Sequence, residues 1–140
     1  MRKLIISVLL VFTFLCCSAI CSETASYWIE KAEALNKGGS YTDLRAIEYL
    51  SNAIKLDPQN AALYFNRGVA YNNFGKKKLA INDYNKAIKL NPKFAQAYNN
   101  RAIFYLNQGN KKQGCQDAQA ACKLGYCSLL DMAKLKGYCR

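Results

Sequence analysis

The stretch AALYFNRGVAYNNFGKKKLAINDYNKAIKLNPK, residues 61–93, decides the fold of this 140-residue chain. Two sets of small and aromatic residues occur in it, each at spacings of four and then three, so each set shares one face of a helix. The first set is Tyr64, Gly68 and Tyr71, and the second is Ala80, Tyr84 and Ala87. Gly75 and the lysines after it lie between the sets, where a turn is needed. The stretch therefore predicts a hairpin of two helices that approach closely at their small residues.

The pattern recurs with a period of 34 residues. Shifted forwards, its signature positions fall on Tyr98, Ala102, Tyr105, Gly109, Ala118 and Ala121. Shifted backwards, those of the second helix fall on Ala46, Leu50, Ala53, Leu56 and Pro58. A 34-residue helical pair with aromatic, glycine, alanine and proline signature positions resembles the tetratricopeptide repeat (TPR) family. The resemblance covers roughly residues 27–127.

This resemblance implies an all-α fold, a right-handed α-solenoid of three TPR helix-turn-helix repeats with a C-terminal capping helix. The repeats are expected at residues 27–60, 61–94 and 95–127, and the capping helix and tail at 128–140. The first helix is expected over residues 24–37, followed by a two-residue insertion within residues 38–43. Ser128 is predicted to be the N-cap of the capping helix, which would end near Gly137.

Residues 1–21 have the layout of a secretory signal peptide. Arg2 and Lys3 form a basic start, Leu4–Leu15 form an apolar run, and Ser18 and Ala19 are small. The run is short for a bilayer span, which needs about 20 residues. The alternatives are an uncleaved membrane anchor and a lipoprotein, for which Cys17 has the most tolerable preceding residue. We therefore expect an exported protein, periplasmic or secreted, in a bacterial envelope setting.

The chain is basic. Without residues 1–21 it keeps 18 basic and nine acidic residues, a net charge of +9. Such an excess attracts polyanions, including anionic envelope surfaces and nucleic acid. The lysines are dispersed along the repeats, which favours a solvated surface, and the export signal disfavours nucleic acid. A polyanion or membrane-surface binder is nevertheless the alternative function.

Four cysteines lie in the last quarter of the chain. An even number behind a signal peptide indicates disulfides. In the repeat register Cys115 and Cys122 replace isoleucines that pack against the following repeat, so both face the capping helix. They are too far apart on one helix, about 10.5 Å, to bond to each other. An antiparallel capping helix leads to the hypothesis of Cys122–Cys127 and Cys115–Cys139 disulfides. The alternatives are a zinc site and a redox site, although no CxxC pair occurs.

The sequence gives no basis for catalysis. There is no histidine, which removes the commonest general base and most catalytic zinc sites. The carboxylates are scattered, and neither a phosphate loop nor a dinucleotide fingerprint occurs. We expect no enzyme activity, no cofactor and no metal.

The family resemblance implies that the first helix of each repeat lines a concave peptide-binding groove. The groove candidates in the second and third repeats are Phe65, Asn66, Val69, Asn72, Asn73, Asn99, Asn100, Ile103, Leu106 and Asn107. In the first repeat they are Ile29, Glu33, Asn36 and Lys37. Asparagines can hydrogen-bond a peptide backbone at donor and acceptor, or can simply be solvated. Some relatives grip a C-terminal carboxylate with lysines and arginines at groove positions that here hold Ile29, Glu33, Asn66 and Asn100. The expected function is a non-catalytic scaffold that binds a protein or peptide of unknown identity.

Overall fold

A computed structural model describes residues 24–139 of the chain. The helices are α1 (Ala25–Glu33), α2 (Arg45–Leu56), α3 (Ala61–Asn73), α4 (Lys77–Leu90), α5 (Ala95–Asn107), α6 (Lys111–Lys123) and α7 (Ser128–Leu135). Each helix packs against the next one along the chain, which is the arrangement of an α-solenoid. The all-α solenoid expected from the sequence is therefore present. Within this described part, no helix is both long and apolar enough to span a membrane.

The helix boundaries of the central hairpin follow from local chemistry. Asn60 caps α3, because its side-chain oxygen accepts a hydrogen bond from the Ala62 backbone N–H at 3.1 Å. Gly75, two residues beyond the end of the helix, has a φ of 72°, and its repeat equivalent Gly109 has a φ of 75°. Such left-handed conformations favour glycine and close the turn into the next helix. The 34-residue period thus reproduces both helices and the turn between them.

Small residues let the two helices of each hairpin approach closely, and their sizes are complementary. A Cβ atom added to Gly68 would lie 2.7 Å from the Tyr84 ring, so the tyrosine fills the space that the glycine leaves. One period later the same two positions hold Ala102 and Ala118, both fully buried. The second and third repeats therefore fill the same space between their helices with side chains of different sizes, as the close packing of protein cores requires.

A buried ion pair joins the two helices of the second repeat, and a second pair does the same in the third. Arg67 donates from Nε and Nη2 to both carboxylate oxygens of Asp83, each at 2.8 Å. Arg101 binds Asp117 in the same bidentate way, at 2.7 and 2.8 Å. The arginines also reach the preceding repeat, since Arg67 donates to Ser51 at 3.1 Å. The two arginines therefore hold the helices of their own repeats together.

The first repeat replaces this ion pair by aromatic contacts. Lys31 occupies the register position of Arg67, and Tyr49 that of Asp83. The Lys31 ammonium lies 4.7 Å from the centre of the Tyr27 ring and 5.7 Å from that of Tyr49, within cation–π range.

The first helix is shorter than predicted, and the insertion has a structure of its own. Helix α1 ends at Glu33, not at residue 37, and strands β1 (Asn36–Lys37) and β2 (Ser40–Tyr41) follow as an antiparallel hairpin. Gly38 lies in the turn between these strands and does not stop the helix. Tyr41 is buried in the core, and burial of this large side chain favours the hairpin over further helix. The two extra residues are thus part of a packed element.

Helix α7 covers the end of the solenoid. It buries Leu129, Leu130 and Ala133 against the third repeat. Cys127 occupies the N-cap position without a side-chain hydrogen bond, so the prediction of Ser128 as N-cap is wrong; Ser128 is the first helical residue. Cys127 already has a helical backbone conformation, whereas a residue that caps a helix with its side chain normally has an extended one. Gly137 ends the helix with a φ of 67°.

Candidate peptide-binding groove

An open cleft of about 270 Å³ lies between α3 and α5, the first helices of the second and third repeats. Six of the predicted groove residues line it: Val69, Asn72, Asn73, Asn100, Ile103 and Asn107. Lys77 and Tyr84 of α4, and Phe104 and Gln108 in and after α5, also line it. The cleft combines side-chain amides with apolar contacts, which is the mixture that orients an extended ligand.

The amides of the cleft differ in how far they are already used. Asn73 donates to Ser40 Oγ and to the Tyr41 carbonyl, each at 3.3 Å, so it holds the β-hairpin against α3. Asn100 accepts a weak bond from Asn99 at 3.4 Å. Among the side-chain hydrogen bonds of residues 24–139, none involves Asn72, Asn107 or Gln108. These three amides are available to a ligand.

Other predicted groove residues take part in packing. Phe65 lies 4.8 Å from Phe94, the N-cap residue of α5, and 6.0 Å from Tyr84 of α4, measured between ring centres. Its register equivalent Asn99 is only 9% exposed, and its side-chain oxygen has no hydrogen-bond partner within the described chain. Asn66 is half-buried and does not line the cleft. Leu106 lies instead beside the capping helix.

The first repeat contributes less to this cleft than its register suggests. Asn36 and Lys37 lie on β1 and not on a helix, so the helical positions assumed for them are wrong. The cleft residues that the sequence did not indicate are Lys77, Tyr84, Phe104 and Gln108. Tyr84 shares a helix face with Ala80 and Ala87, and it is both buried and one of the residues that line the cleft. The 34-residue period was the only sequence signal for these four residues. It cannot distinguish core positions from groove positions where a residue such as Tyr84 belongs to both.

Burial changes the ionisation of one residue that lines the cleft. It raises the pKa of Tyr84 to about 12, although the Asn100 side chain opposes this shift. The hydroxyl is therefore neutral at any physiological pH. Lys77 supplies the positive charge of the lining, and no acidic residue is among the lining residues.

The raised pKa of Tyr84 predicts a loss of stability in alkali. In the unfolded chain a tyrosine ionises near pH 10, whereas Tyr84 in the folded chain ionises near 12. Its contribution is fully present below pH 10 and is lost as the pH rises to about 12, by roughly 2 kcal/mol. Urea unfolding at pH 9 and 11.5 should show a smaller alkaline loss for Tyr84→Phe than for wild type. Tyr126→Phe, at an exposed tyrosine, should behave like wild type; an equal loss in all three proteins would contradict the assignment.

The four cysteines of the described chain are bonded in two pairs. Cys115 on α6 is joined to Cys139, with 5.5 Å between their Cα atoms, and Cys122 is joined to Cys127 across the turn into α7. Both pairs fasten the capping helix to α6. Within residues 24–139, no group of three or more cysteine, aspartate or glutamate residues is placed to hold a metal ion. This arrangement gives no support to the zinc and redox alternatives.

Fold and cleft together define an α-solenoid of helical hairpins whose first helices face a shared groove. Three family models match the sequence: "Tetratricopeptide repeat" at residues 61–94 and again at 83–116, and "TPR repeat" at 32–75. Together they extend from residue 32 to residue 116, more than half of the chain. The chain belongs to the tetratricopeptide repeat family, and the TPR fold generally serves as a non-catalytic protein-interaction module. None of the curated proteins matches the sequence.

Solved TPR structures are similar over most of the chain. The first TPR of Spaghetti (RPAP3), bound to the HSP90 peptide SRMEEVD, is 26% identical with a TM-score of 0.70, and the match covers 84% of this chain and 91% of that one. The Arabidopsis OM64 TPR domain is also 26% identical with a TM-score of 0.70, over 80% and 92%. The TPR2B domain of yeast Sti1, in complex with pHsp70, is 24% identical with a TM-score of 0.58, over 65% and 82%, and shows the fold alone. These matches give no support to a polyanion-binding function.

Proposed function

We propose that this chain is a scaffold that holds an extended peptide segment of a partner protein in the α3–α5 cleft. The observation that carries the proposal is the set of three amides, Asn72, Asn107 and Gln108, which line the cleft without partners in the described chain. A side-chain amide both donates and accepts, so it can pair with the N–H and C=O groups of an extended backbone. Val69 and Ile103 add apolar contact beside them.

The similarity to a TPR domain solved with a bound peptide supports this use of the groove. The ligand is expected to be held differently at its end. Some relatives grip a C-terminal carboxylate with lysines and arginines, but the corresponding positions here are Ile29, Glu33, Asn66 and Asn100. The proposal is therefore an internal or extended segment recognised through its backbone, and not through a carboxylate clamp at these positions.

Removing two cleft amides should weaken peptide binding without unfolding the chain. A random dodecapeptide display library is selected on the full chain, and enriched peptides are measured by isothermal titration. Asn72→Ala with Gln108→Ala removes two of the free cleft amides, each hydrogen bond being worth about 1 kcal/mol, so Kd should rise on the order of tenfold or more. Asn52→Ala on α2, outside the cleft, is the matched control and should bind like wild type. Failure to enrich any peptide, or unchanged binding by the double variant, would contradict the proposal.

We also propose that the chain is exported and that its disulfides form in an oxidising compartment. The support is the layout of residues 1–21 and the even number of cysteines after it. Amino-terminal sequencing of the protein from fractionated bacterial cells distinguishes a cleaved signal from a retained anchor, and mass spectrometry detects a lipid. An intact, unmodified amino terminus on protein in the cytoplasmic fraction would argue against export.

A further inference from the structure

A second, smaller pocket lies where the capping helix meets the third repeat. It has a volume of about 100 Å³ and is mainly apolar, formed by Ile103 and Leu106 of α5 and by Met132 and Tyr138 at the C-terminal end. Met132 is 52% exposed and Tyr138 40% exposed, so the pocket is open to solvent. A capping helix normally presents a polar outer face, which makes an open apolar pocket at this place unusual.

The pocket continues the groove. Ile103 and Asn107 line both the α3–α5 cleft and this pocket, so a ligand leaving the cleft along α5 passes directly into it. Helix α5 therefore forms a wall that is shared by a polar section and an apolar section. A single extended segment can contact both.

Both sections have a positive charge and no negative one. Lys77 lines the cleft and Lys136 lines the pocket, and no aspartate or glutamate lines either of them. Complementary charge favours a ligand that carries carboxylates beside its apolar group.

The size of the pocket selects its occupant. A cavity of 150 Å³ is enough to hold a benzene molecule, so about 100 Å³ takes one aliphatic side chain. The apolar stripe of a docking helix needs several anchors in a longer groove. The dimensions therefore fit a single side chain of an extended peptide better than a helix of a second copy.

We infer that the partner segment is an acidic peptide with one large aliphatic residue, which inserts between α5 and α7 while neighbouring carboxylates approach Lys136 and Lys77. This inference rests on the proposed function and adds the class of ligand. Tyr138 forms one side of the pocket, and the next residue, Cys139, is bonded to Cys115 of α6. The pocket is thus assembled by the covalent attachment of the chain end to the third repeat.

The library selection described above tests the class of ligand. Peptides enriched on the full chain are expected to contain an aliphatic residue and an excess of acidic residues. Replacing the aliphatic residue of the tightest peptide by alanine should weaken it at least fivefold. Enriched peptides that are basic, or that lack an aliphatic residue, would overturn the inference.

Paired variants on α7 locate the binding. Met132→Asp and Lys136→Glu should each weaken the peptide at least fivefold, because one places a charge in the pocket and the other reverses its charge. Leu135→Asp and Lys134→Glu lie on the same helix, are exposed and do not line the pocket, so they should bind like wild type. Circular dichroism confirms that all four variants are folded.

The outcomes separate the two proposals. If Asn72→Ala with Gln108→Ala weakens the peptide but Met132→Asp and Lys136→Glu do not, the groove function stands and the inference fails. If no peptide is enriched, both fail. If the wild-type chain sediments as a dimer that Met132→Asp dissociates, the pocket belongs to a second copy and the inference is overturned.

Discussion

Arg67→Ala is expected to lower the free energy of unfolding by about 3 kcal/mol, the lower end of the range for breaking a buried ion pair. The Asp83 side chain is only 8% exposed and loses both of its guanidinium hydrogen bonds. A charge left without a partner at that depth is costly, because water cannot replace what is removed. Arg67 is 19% exposed, which places the expected cost at the low end. Its contact with Ser51 of the preceding repeat is lost as well, so the effect spreads across two repeats.

The matched control is Arg45→Ala, because Arg45 also pairs with an aspartate but does so at the surface. The side chains of Arg45 and Asp43 are 63% and 31% exposed, and such surface pairs contribute little to stability. Urea unfolding monitored by circular dichroism measures both variants. Replacing Arg67 and Asp83 together by methionine and leucine should restore part of the loss, since no unpaired charge remains. Equal small effects of Arg67→Ala and Arg45→Ala would show that the pair does not stabilise the solenoid.

The sequence contained the signal for this pair. Arg67 and Asp83 are 16 residues apart, and Arg101 and Asp117 repeat them 34 residues later. Two opposite charges that recur in the same register of a helical hairpin indicate contact between its helices. The sequence does not show how deeply these side chains are buried, because the same spacing is equally compatible with charged residues in solvent. The bidentate geometry and the burial needed the packed helices.

The hairpin between α1 and α2 shows why other features could not be predicted. The period correctly located two extra residues, but it carries no information about what an insertion does. Tyr41 is buried and Asn73, thirty-two positions away, holds the backbone of β2 by a long-range hydrogen bond. Local propensity cannot specify such a contact, since it depends on where α3 lies. The same contact removes part of Asn73 from the groove that its register predicts.

The groove was predicted only in part, because the sequence period does not reveal the neighbours of each side chain. Residues 34 apart share a position on the solenoid but not an environment, because each repeat has different neighbours. Asn72 lines the open cleft, whereas its equivalent Leu106 faces the capping helix. Phe65 packs against Phe94 at the start of α5, whereas its equivalent Asn99 is buried, and its side-chain oxygen has no partner among residues 24–139. Register therefore predicts which helix face a residue occupies, and the neighbouring side chains decide whether a ligand can reach it.

Cys115→Ser with Cys139→Ser is expected to lower the free energy of unfolding by about 3 kcal/mol. The bond closes a loop between residues 24 apart in sequence, and the entropy it removes from the unfolded chain grows with loop length. The pair Cys122 and Cys127, only five residues apart, is the internal comparison: Cys122→Ser with Cys127→Ser should lose about 2 kcal/mol. Urea unfolding of the three oxidised proteins measures this order.

Removing one disulfide or the other should also have different effects on the local stability of α7. Without Cys115–Cys139, the end of the chain is no longer fastened to α6, and Leu129, Leu130 and Ala133 are held only by their apolar contacts. Amide hydrogen exchange of α7 should therefore accelerate more in this variant than in the one without Cys122–Cys127, which retains the distal attachment. Non-reducing peptide mapping of the wild-type protein checks the pairing itself. Any other connectivity, or equal exchange in the two variants, would contradict an assignment in which the longer bond fixes the capping helix.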